Sequence, residues 1–234
     1  MKSPKNEVEK AARKAKMVVV AANKGGAGKS TVCQHLSELA FESGLRVLAV
    51  ETDSQGDLPA LLFPAGFKEW TGEDVLFERD NRLWLLYSPA GVPDPSEFEG
   101  RFDLIVVDTA PKSRPDMTYA DCVVVPIDGP MAIKDCAETI YAALQAQVAL
   151  KIVVPNKVDA GGVQLARALV TGIKKNPHVK VTQEVPFSPA VARSADTGEP
   201  AWNEQWGKNH NCPEGASKLR GACESILSEV MHGA

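Results

Sequence analysis

The chain has 234 residues, a formal net charge of −4, 44% apolar residues and 24% charged residues, the make-up of a soluble globular protein with room for one α/β domain or two small ones. No run approaches the roughly 18 uninterrupted apolar residues of a membrane span. No apolar stretch separates the N-terminal charges from Met17, which argues against a secretory signal and for a cytoplasmic location. Five cysteines are scattered without a CxxC pair, and four histidines form neither an HExxH pair nor a His/Cys clamp. Free thiols in a reducing compartment, and no zinc site, are the expectation.

Charge is unevenly spread. Residues 1–16 carry six Lys/Arg against Glu7 and Glu9, which leaves the rest of the chain at −8. Such an arm is either a solvated tail or a contact for DNA or another polyanion. The remainder, 17–234, reads as a single domain, with no internal repeat and no low-complexity linker.

In chain order, a β-branched run at 17–21 is followed by a glycine-rich loop and a helical pattern at 30–43. Further apolar runs lie at 47–50, 83–87, 104–107, 122–125 and 150–154. None alternates polar with apolar, which is how a strand buried on both faces of a parallel sheet reads. Helical patterns at 130–147, 162–175 and 215–231 alternate with them, and residues 88–100 and 200–213, rich in Pro, Gly, Asn and Glu, read as surface loops. Strand alternating with helix predicts an α/β fold with a doubly wound, mostly parallel sheet and helices on both faces.

Residues 17–43 supply the strand, glycine loop and helix that a phosphate-binding loop needs. In Lys24-Gly25-Gly26-Ala27-Gly28-Lys29-Ser30-Thr31 the glycines let successive N–H groups curl around phosphate oxygens. The helix beginning near Ser30 aims its positive end at the same anion. Lys29 is expected to reach the β- and γ-phosphates, and the Ser30 hydroxyl to ligate Mg²⁺. The generic pattern wants Gly at position 23, where Asn23 stands. Carboxylates at the ends of neighbouring strands should hold the metal and orient a water. Asp108 closes the run 104–107, and Asp53 follows the run 47–50. Asp103, at the start of its strand, belongs to the opposite edge and reads as structural.

The segment Lys24 to Thr31 resembles the ParA/MinD family of P-loop ATPases with a deviant Walker A motif, marked by KGGxGK[ST]. The resemblance implies that ATP and Mg²⁺ are the cofactors. It also implies an ATP-sandwich homodimer in which a "signature" lysine, here Lys24, reaches the partner's nucleotide. Asp108-Thr109-Ala110-Pro111 is similar to the family's Asp-x-x-Pro, which gives Asp108 a role at Mg²⁺ through water. Glu51-Thr52-Asp53-Ser54-Gln55-Gly56-Asp57 is similar to its Asp-x-Asp-x-Gln-Gly-Asn. That match assigns the attacking water to Asp53 and leaves Glu51, in place of the usual first Asp, without a fixed role. Residues 153–159 resemble the adenine-side segment, with Asn156 presenting its amide to the base. The letters Asn156-Lys157-Val158-Asp159 also spell the NKxD guanine motif of GTPases. Pro186, in an Ile-Pro-like segment followed by a short helix and Gly198-Glu199-Pro200, would pack beside the base.

Many DNA-binding relatives carry arginines where this chain has Phe187 and Ala190, which makes Lys174, Lys175, Lys180 and Arg193 the alternatives for DNA contact. The last helical pattern places Leu219, Cys223, Ile226, Leu227 and Val230 on one stripe. Its polar face mixes Lys218 and Arg220 with Glu224 and Glu229, which reads as a core helix rather than a basic membrane anchor. The expected function is that of a short ParA-type ATPase: it would bind non-specific DNA as a dimer, drive partition or positioning, and hydrolyse ATP slowly until stimulated by a ParB-like adaptor. A MinD-like membrane-associated ATPase is the alternative. Iron–sulfur carriers, nitrogenase-reductase-like proteins and anion-pump ATPases need the clustered cysteines that this sequence lacks.

Overall fold

The computed structural model of the chain describes residues 14–54, 56–63, 76–79, 81–111, 114–129, 132–158, 179–203 and 213–233. The first 13 residues of the basic arm, Gln55, the helical pattern at 162–175 with Lys174 and Lys175, and Asp159 lie outside them.

Nine strands among the described residues form one sheet: β1 (Lys16–Val20), β2 (Val47–Glu51), β3 (Leu76–Arg79), β4 (Leu83–Tyr87), β5 (Leu104–Asp108), β6 (Cys122–Ile127), β7 (Leu150–Val158), β8 (Val179–Val181) and β9 (Val185–Pro186). Their order across the sheet is β3-β4-β2-β5-β1-β6-β7-β8, with β9 paired to the far half of β7. All pairings are parallel except β3 with β4 at the edge. The doubly wound, mostly parallel sheet expected from the sequence is therefore present. The chain leaves β1 toward β2 on one side and β5 toward β6 on the other, so β1 and β5 flank the switch point where ligands of such sheets bind.

The helices are α1 (Lys29–Glu42), α2 (Asp57–Leu62), α3 (Ala132–Gln145), α4 (Pro189–Thr197) and α5 (Glu214–His232). Alternate residues of each central strand feed two cores. Val18, Val20, Val47, Ala49, Leu104 and Val106 face α1 and α5, while Met17, Val19, Leu48, Val50, Ile105 and Val107 face α3, Phe98 and Phe102. Both faces being dry explains why these strands are apolar throughout.

Asp103 takes the structural role expected of it, pairing with Arg46 through both carboxylate oxygens at 2.9 and 3.1 Å. The stripe of α5 is buried as expected, with Leu219, Cys223 and Ile226 no more than 1% exposed. Four short elements were not expected from periodicity: β3, β8, β9 and α2. The loop at 88–100 contains a 3₁₀ turn, Pro95–Phe98, whose Phe98 is buried.

Helix α1 is buried from Val32 to Ala40, polar residues included, so its polar side chains need internal partners. Gln34 donates to the Leu61 carbonyl at 3.1 Å. His35 is fully buried, with Nδ1 2.8 Å from the Thr31 carbonyl and Nε2 accepting the Ala201 N–H at 3.0 Å. The neutral tautomer with hydrogen on Nδ1 satisfies both contacts. Its ring also meets Trp202 edge-on at 5.2 Å. The residue therefore ties the helix behind the phosphate loop to the segment that follows α4.

Burial pulls the His35 pKa down from 6.5 to about 4. Between those values the unfolded chain takes up a proton that the folded one refuses. The contribution of His35 to stability is thus complete above pH 6.5 and falls as pH drops toward 4, by about 3 kcal/mol. Between pH 7.5 and pH 4.5 the unfolding free energy read from denaturant titrations should change less favourably in the wild type than in His35→Gln, by most of this amount, since the raised pKa values of Glu51 and Asp108 act alike in both proteins. Equal slopes in the two proteins would assign the acid sensitivity to other groups.

Candidate functional site

The phosphate loop runs from the end of β1 to the first turn of α1. Its last residue, Gly28, holds φ at +93°, and Gly26 holds +75°. A side chain is strained in that region. At Gly28 it is also blocked, because a Cβ would lie 2.2 Å from Asn156 Nδ2. No side chain caps the N-terminus of α1, and its first turn holds no acidic residue. Its leading N–H groups therefore remain to be met by an anion.

A cavity of about 600 Å³ opens above this loop, at the C-terminal ends of β1, β2 and β5. Gly25, Gly26, Gly28, Lys29, Ser30 and Thr31 form its floor, and Glu51, Asp53, Asp57 and Asp108 form one wall. Lys29, only 7% exposed, is the buried cation of the site. Asp108 ends β5 and is 2% exposed. The Ser30 hydroxyl hydrogen-bonds its carboxyl group, whose Oδ1 has no partner. Burial pushes the Asp108 pKa up, while Ser30 and the charge on Lys29 pull it back. A buried carboxylate oxygen left unpaired beside a serine hydroxyl is a costly arrangement on its own. It fits a hard cation with oxygen ligands such as Mg²⁺, which is held by one or two protein oxygens with water and phosphate completing the shell. Ser30 and Asp108 are the residues that would hold it.

Asp53 lies in the loop after β2, and that loop has a defined frame. The wholly buried Glu51 accepts the Asp53 N–H through Oε1 at 2.7 Å and the Leu58 N–H through Oε2 at 3.1 Å. Thr52 ties the same loop to β5, donating its N–H and hydroxyl to the Asp108 carbonyl at 3.1 and 2.9 Å. Burial, then the nearby charge of Asp108, drive the Glu51 pKa up. Glu51 therefore frames the Asp53 loop by accepting backbone hydrogen bonds, a role its sequence position did not disclose.

The other expected residues fall into two groups. Lys24 lies outside the cavity lining, with Nζ 3.2 Å from the Asp128 carbonyl and 3.5 Å from its carboxylate. Ala27 is buried beneath the loop, and Thr31 reaches the cavity. Asn156 and Pro186 also stand outside the lining. The Asn156 amide donates to the Ala27 carbonyl at 2.9 Å, so its donor is directed at the phosphate loop. Pro186 sits on β9 opposite Val158 of β7. Sequence reasoning missed Lys157 and Asp57 as cavity residues, and missed the approach of Ala195 from α4. Lys157 was visible only as a letter of the NKxD pattern.

Comparisons with known proteins bear on the family and the fold. The family described as CobQ/CobB/MinD/ParA nucleotide binding domain matches residues 18–201. The chain belongs to this family. Protein IncC of Escherichia coli is 27% identical over 229 aligned residues, covering 80% of this chain and 63% of IncC. The chain thus spans less than two thirds of that relative. Among solved structures, the septum site-determining protein MinD of Pyrococcus horikoshii OT3, complexed with Mg-ADP, superposes with a TM-score of 0.67 at 17% identity, covering 94% of this chain and 100% of its own. A putative plasmid partition protein of Borrelia burgdorferi B31 bound to AMPPNP gives a TM-score of 0.66 at 15% identity, with 93% and 100% covered. The ParA/MinD resemblance read from the loop and the fold expected with it both stand.

Removing the Lys29 ammonium should leave triphosphate charge in a buried site without its main protein cation, at a cost of roughly 2–5 kcal/mol. Calorimetry on Lys29→Ala should accordingly show ATP affinity reduced by about 30-fold or more. Wild-type affinity in a folded Lys29→Ala would take the phosphate site elsewhere.

Proposed function

We propose that this chain is a Mg²⁺-dependent ATP hydrolase of ParA type. ATP closes two copies into a sandwich dimer, the dimer binds DNA non-specifically, and a ParB-like adaptor stimulates otherwise slow hydrolysis. One observation carries the reading. Lys29, Ser30, Asp53 and Asp108, from three separate stretches of sequence, line one cavity at the mouth of a phosphate loop. The 27% identity with IncC favours the ParA branch, while the fold is shared alike with a putative plasmid partition protein and with MinD.

The backbone of the loop and the N-terminus of α1 would bind the phosphates, with Lys29 on the β- and γ-oxygens. Mg²⁺, which Ser30 and Asp108 would hold, would supply neutralisation of the phosphate charge. Asp53, on its Glu51-framed loop, would accept a hydrogen bond from the attacking water and set it in line with the γ-phosphorus. Lys24 would exchange Asp128 for the partner's nucleotide. For DNA, the candidate contacts are the charges of the basic segment 1–16, Lys174, Lys175, the exposed Arg193, and Lys180, which pairs with Glu229. The stripe of α5 is buried against α1, so α5 itself could serve as a membrane anchor only by unpacking the core.

DNA binding measured with ATP, ADP and no nucleotide across a salt series tests the reading. ATP-dependent, salt-sensitive binding is expected. Binding to anionic liposomes in its place would select the membrane alternative.

Asp53→Ala should retain ATP binding within about threefold, because orienting a water matters mainly in the transition state, while single-turnover hydrolysis falls by about 100-fold or more. Wild-type turnover in that variant would remove Asp53 from the chemistry.

Lys24→Gln should leave folding intact and weaken ATP binding by the monomer only modestly. It should prevent ATP-dependent dimerisation, since facing triphosphates without in-trans cations repel by several kcal/mol. Light scattering on the Asp53→Ala background, with and without Lys24→Gln, reads this directly. An ATP-dependent dimer that survives the double substitution would rule out the signature-lysine role.

A further inference from the structure

Helix α2 spans only six residues, Asp57–Leu62, far below the length at which a helix sustains itself in water. Its buried Leu58 and Leu62 belong to the core shared with α1. Apolar burial is non-directional, so it holds the helix down without fixing how far it slides or turns. Hydrogen bonds at both ends supply that register. At the start, the Leu58 N–H donates to Glu51 Oε2 at 3.1 Å. At the end, the last carbonyls of a helix have no partner within it. Here Gln34 Nε2 donates to the Leu61 carbonyl at 3.1 Å, and Arg79 Nη1 to the Leu62 carbonyl at 3.4 Å.

Both tethers at the end trace back to one face of α1. Ser30, Gln34 and Glu38 recur every four residues of that helix and so lie one above another. Gln34 takes α2 directly. Glu38 takes it through Arg79 of β3: its Oε2 accepts Arg79 Nη2 at 2.5 Å, and the guanidinium carbon lies 5.3 Å from the centre of the Phe41 ring. This pair is incompletely satisfied. Glu38 Oε1 and Arg79 Nε have no hydrogen-bond partner among the described residues, and burial raises the Glu38 pKa. Exchanging a buried ion pair for apolar residues of similar volume is often neutral or stabilising. Folding stability alone therefore does not account for a charged pair at this place.

α2 in turn stands beside the chemistry. Asp57, Ala60 and Leu61 line the cavity above the phosphate loop. The turn that leads into the helix is closed by the Gly56 N–H, which donates to the Asp53 carbonyl at 3.1 Å. A shift of α2 therefore carries Asp53 with it. We propose that Gln34 and the Glu38–Arg79 pair are positioning residues for hydrolysis: they lock α2, and through that turn Asp53, in register with Ser30 on the same face of α1. This rests on the reading of Asp53 as the residue that orients the attacking water. None of the three lines the cavity, so they act through α2.

The test measures ATP affinity by calorimetry and hydrolysis in single turnover. It uses Gln34→Met, the double variant Glu38→Leu/Arg79→Met, and each of these combined with Asp53→Ala. ATP affinity stays within about threefold of the wild type, while hydrolysis falls by about tenfold or more, since a misplacement of about 1 Å can cost about 100-fold. The double variant keeps or gains resistance to denaturant. Amide exchange at residues 57–62 accelerates in nucleotide-free protein. In the Asp53→Ala background the same substitutions slow hydrolysis no further, because the carboxylate they position is already gone. Wild-type hydrolysis in the folded variants overturns the proposal. So does a loss that multiplies with that of Asp53→Ala, or an ATP affinity that falls in step with hydrolysis. A double variant that fails to fold assigns the pair to stability and overturns its part. Wild-type turnover in Asp53→Ala alone removes the reading of Asp53 itself, whereas a slow Asp53→Ala beside normal tether variants removes only the tethers.

Discussion

The site depends on one electrostatic constraint, the burial of Asp108 under the phosphate loop with its Oδ1 lacking a hydrogen-bond partner among the described residues. A carboxylate 2% exposed, with Glu51 wholly buried nearby and Asp53 and Asp57 on the same wall, concentrates negative charge where α/β sheets bind their ligands. Lys29 and the Ser30 hydroxyl offset part of it, yet burial, ahead of the charges of Asp57 and Asp53, still pushes the Asp108 pKa up. Adding a triphosphate to such a wall without a cation would be strongly unfavourable. Metal and nucleotide are therefore expected to enter as one unit. The helix N-terminus and loop amides are placed to answer the phosphate half of that unit, and Ser30 with Asp108 would answer the metal half.

How much of this was legible in the sequence follows from how local each feature is. The phosphate loop is a contiguous string whose glycines, lysine and serine act within eight residues, so its chemistry can be read directly. The central strands were legible because both sheet faces are dry, which forces unbroken apolar runs. β3, β8 and β9 are two to four residues long, too short to show a period, and α2 has only six residues held partly by Glu51. The partner of Asn156 lies 129 residues away. No spacing rule connects those positions. Glu51 was conspicuous as a departure from the family's Asp, yet its function as a double backbone acceptor became apparent only once the loop it closes was in place.

The back of the site is as constrained as the front. Helix α1 carries Lys29 and Ser30 at its start and is buried along most of its length, so anything that displaces the helix displaces the cation. His35 fastens it to the Ala201–Trp202 segment, Trp202 Nε1 donates to Glu42 at 3.1 Å, and α5 packs its apolar stripe along it. α5 is thus structural support for the phosphate loop. The same packing explains why its apolar stripe carries no surplus of basic residues beside it: a stripe committed to the core needs no attraction to an anionic surface.

Two lysines of one loop differ in a way that suits different tasks. Lys29 is 7% exposed and sits among buried carboxylates, so its loss or displacement leaves uncompensated charge in a low-dielectric site. The Lys24 side chain is 41% exposed, and its partner Asp128 is 29% exposed at 3.5 Å. An ion pair this open to water contributes about 0–1 kcal/mol. Exchanging Asp128 for a triphosphate presented by a second copy would therefore forfeit little and gain a partner of higher charge in a drier interface. The cation that must stay is buried, and the one proposed to move is held weakly at the rim. A single stretch of six residues thus carries one buried and one half-exposed positive charge, and under the proposed dimer burial alone would separate the fixed from the exchangeable.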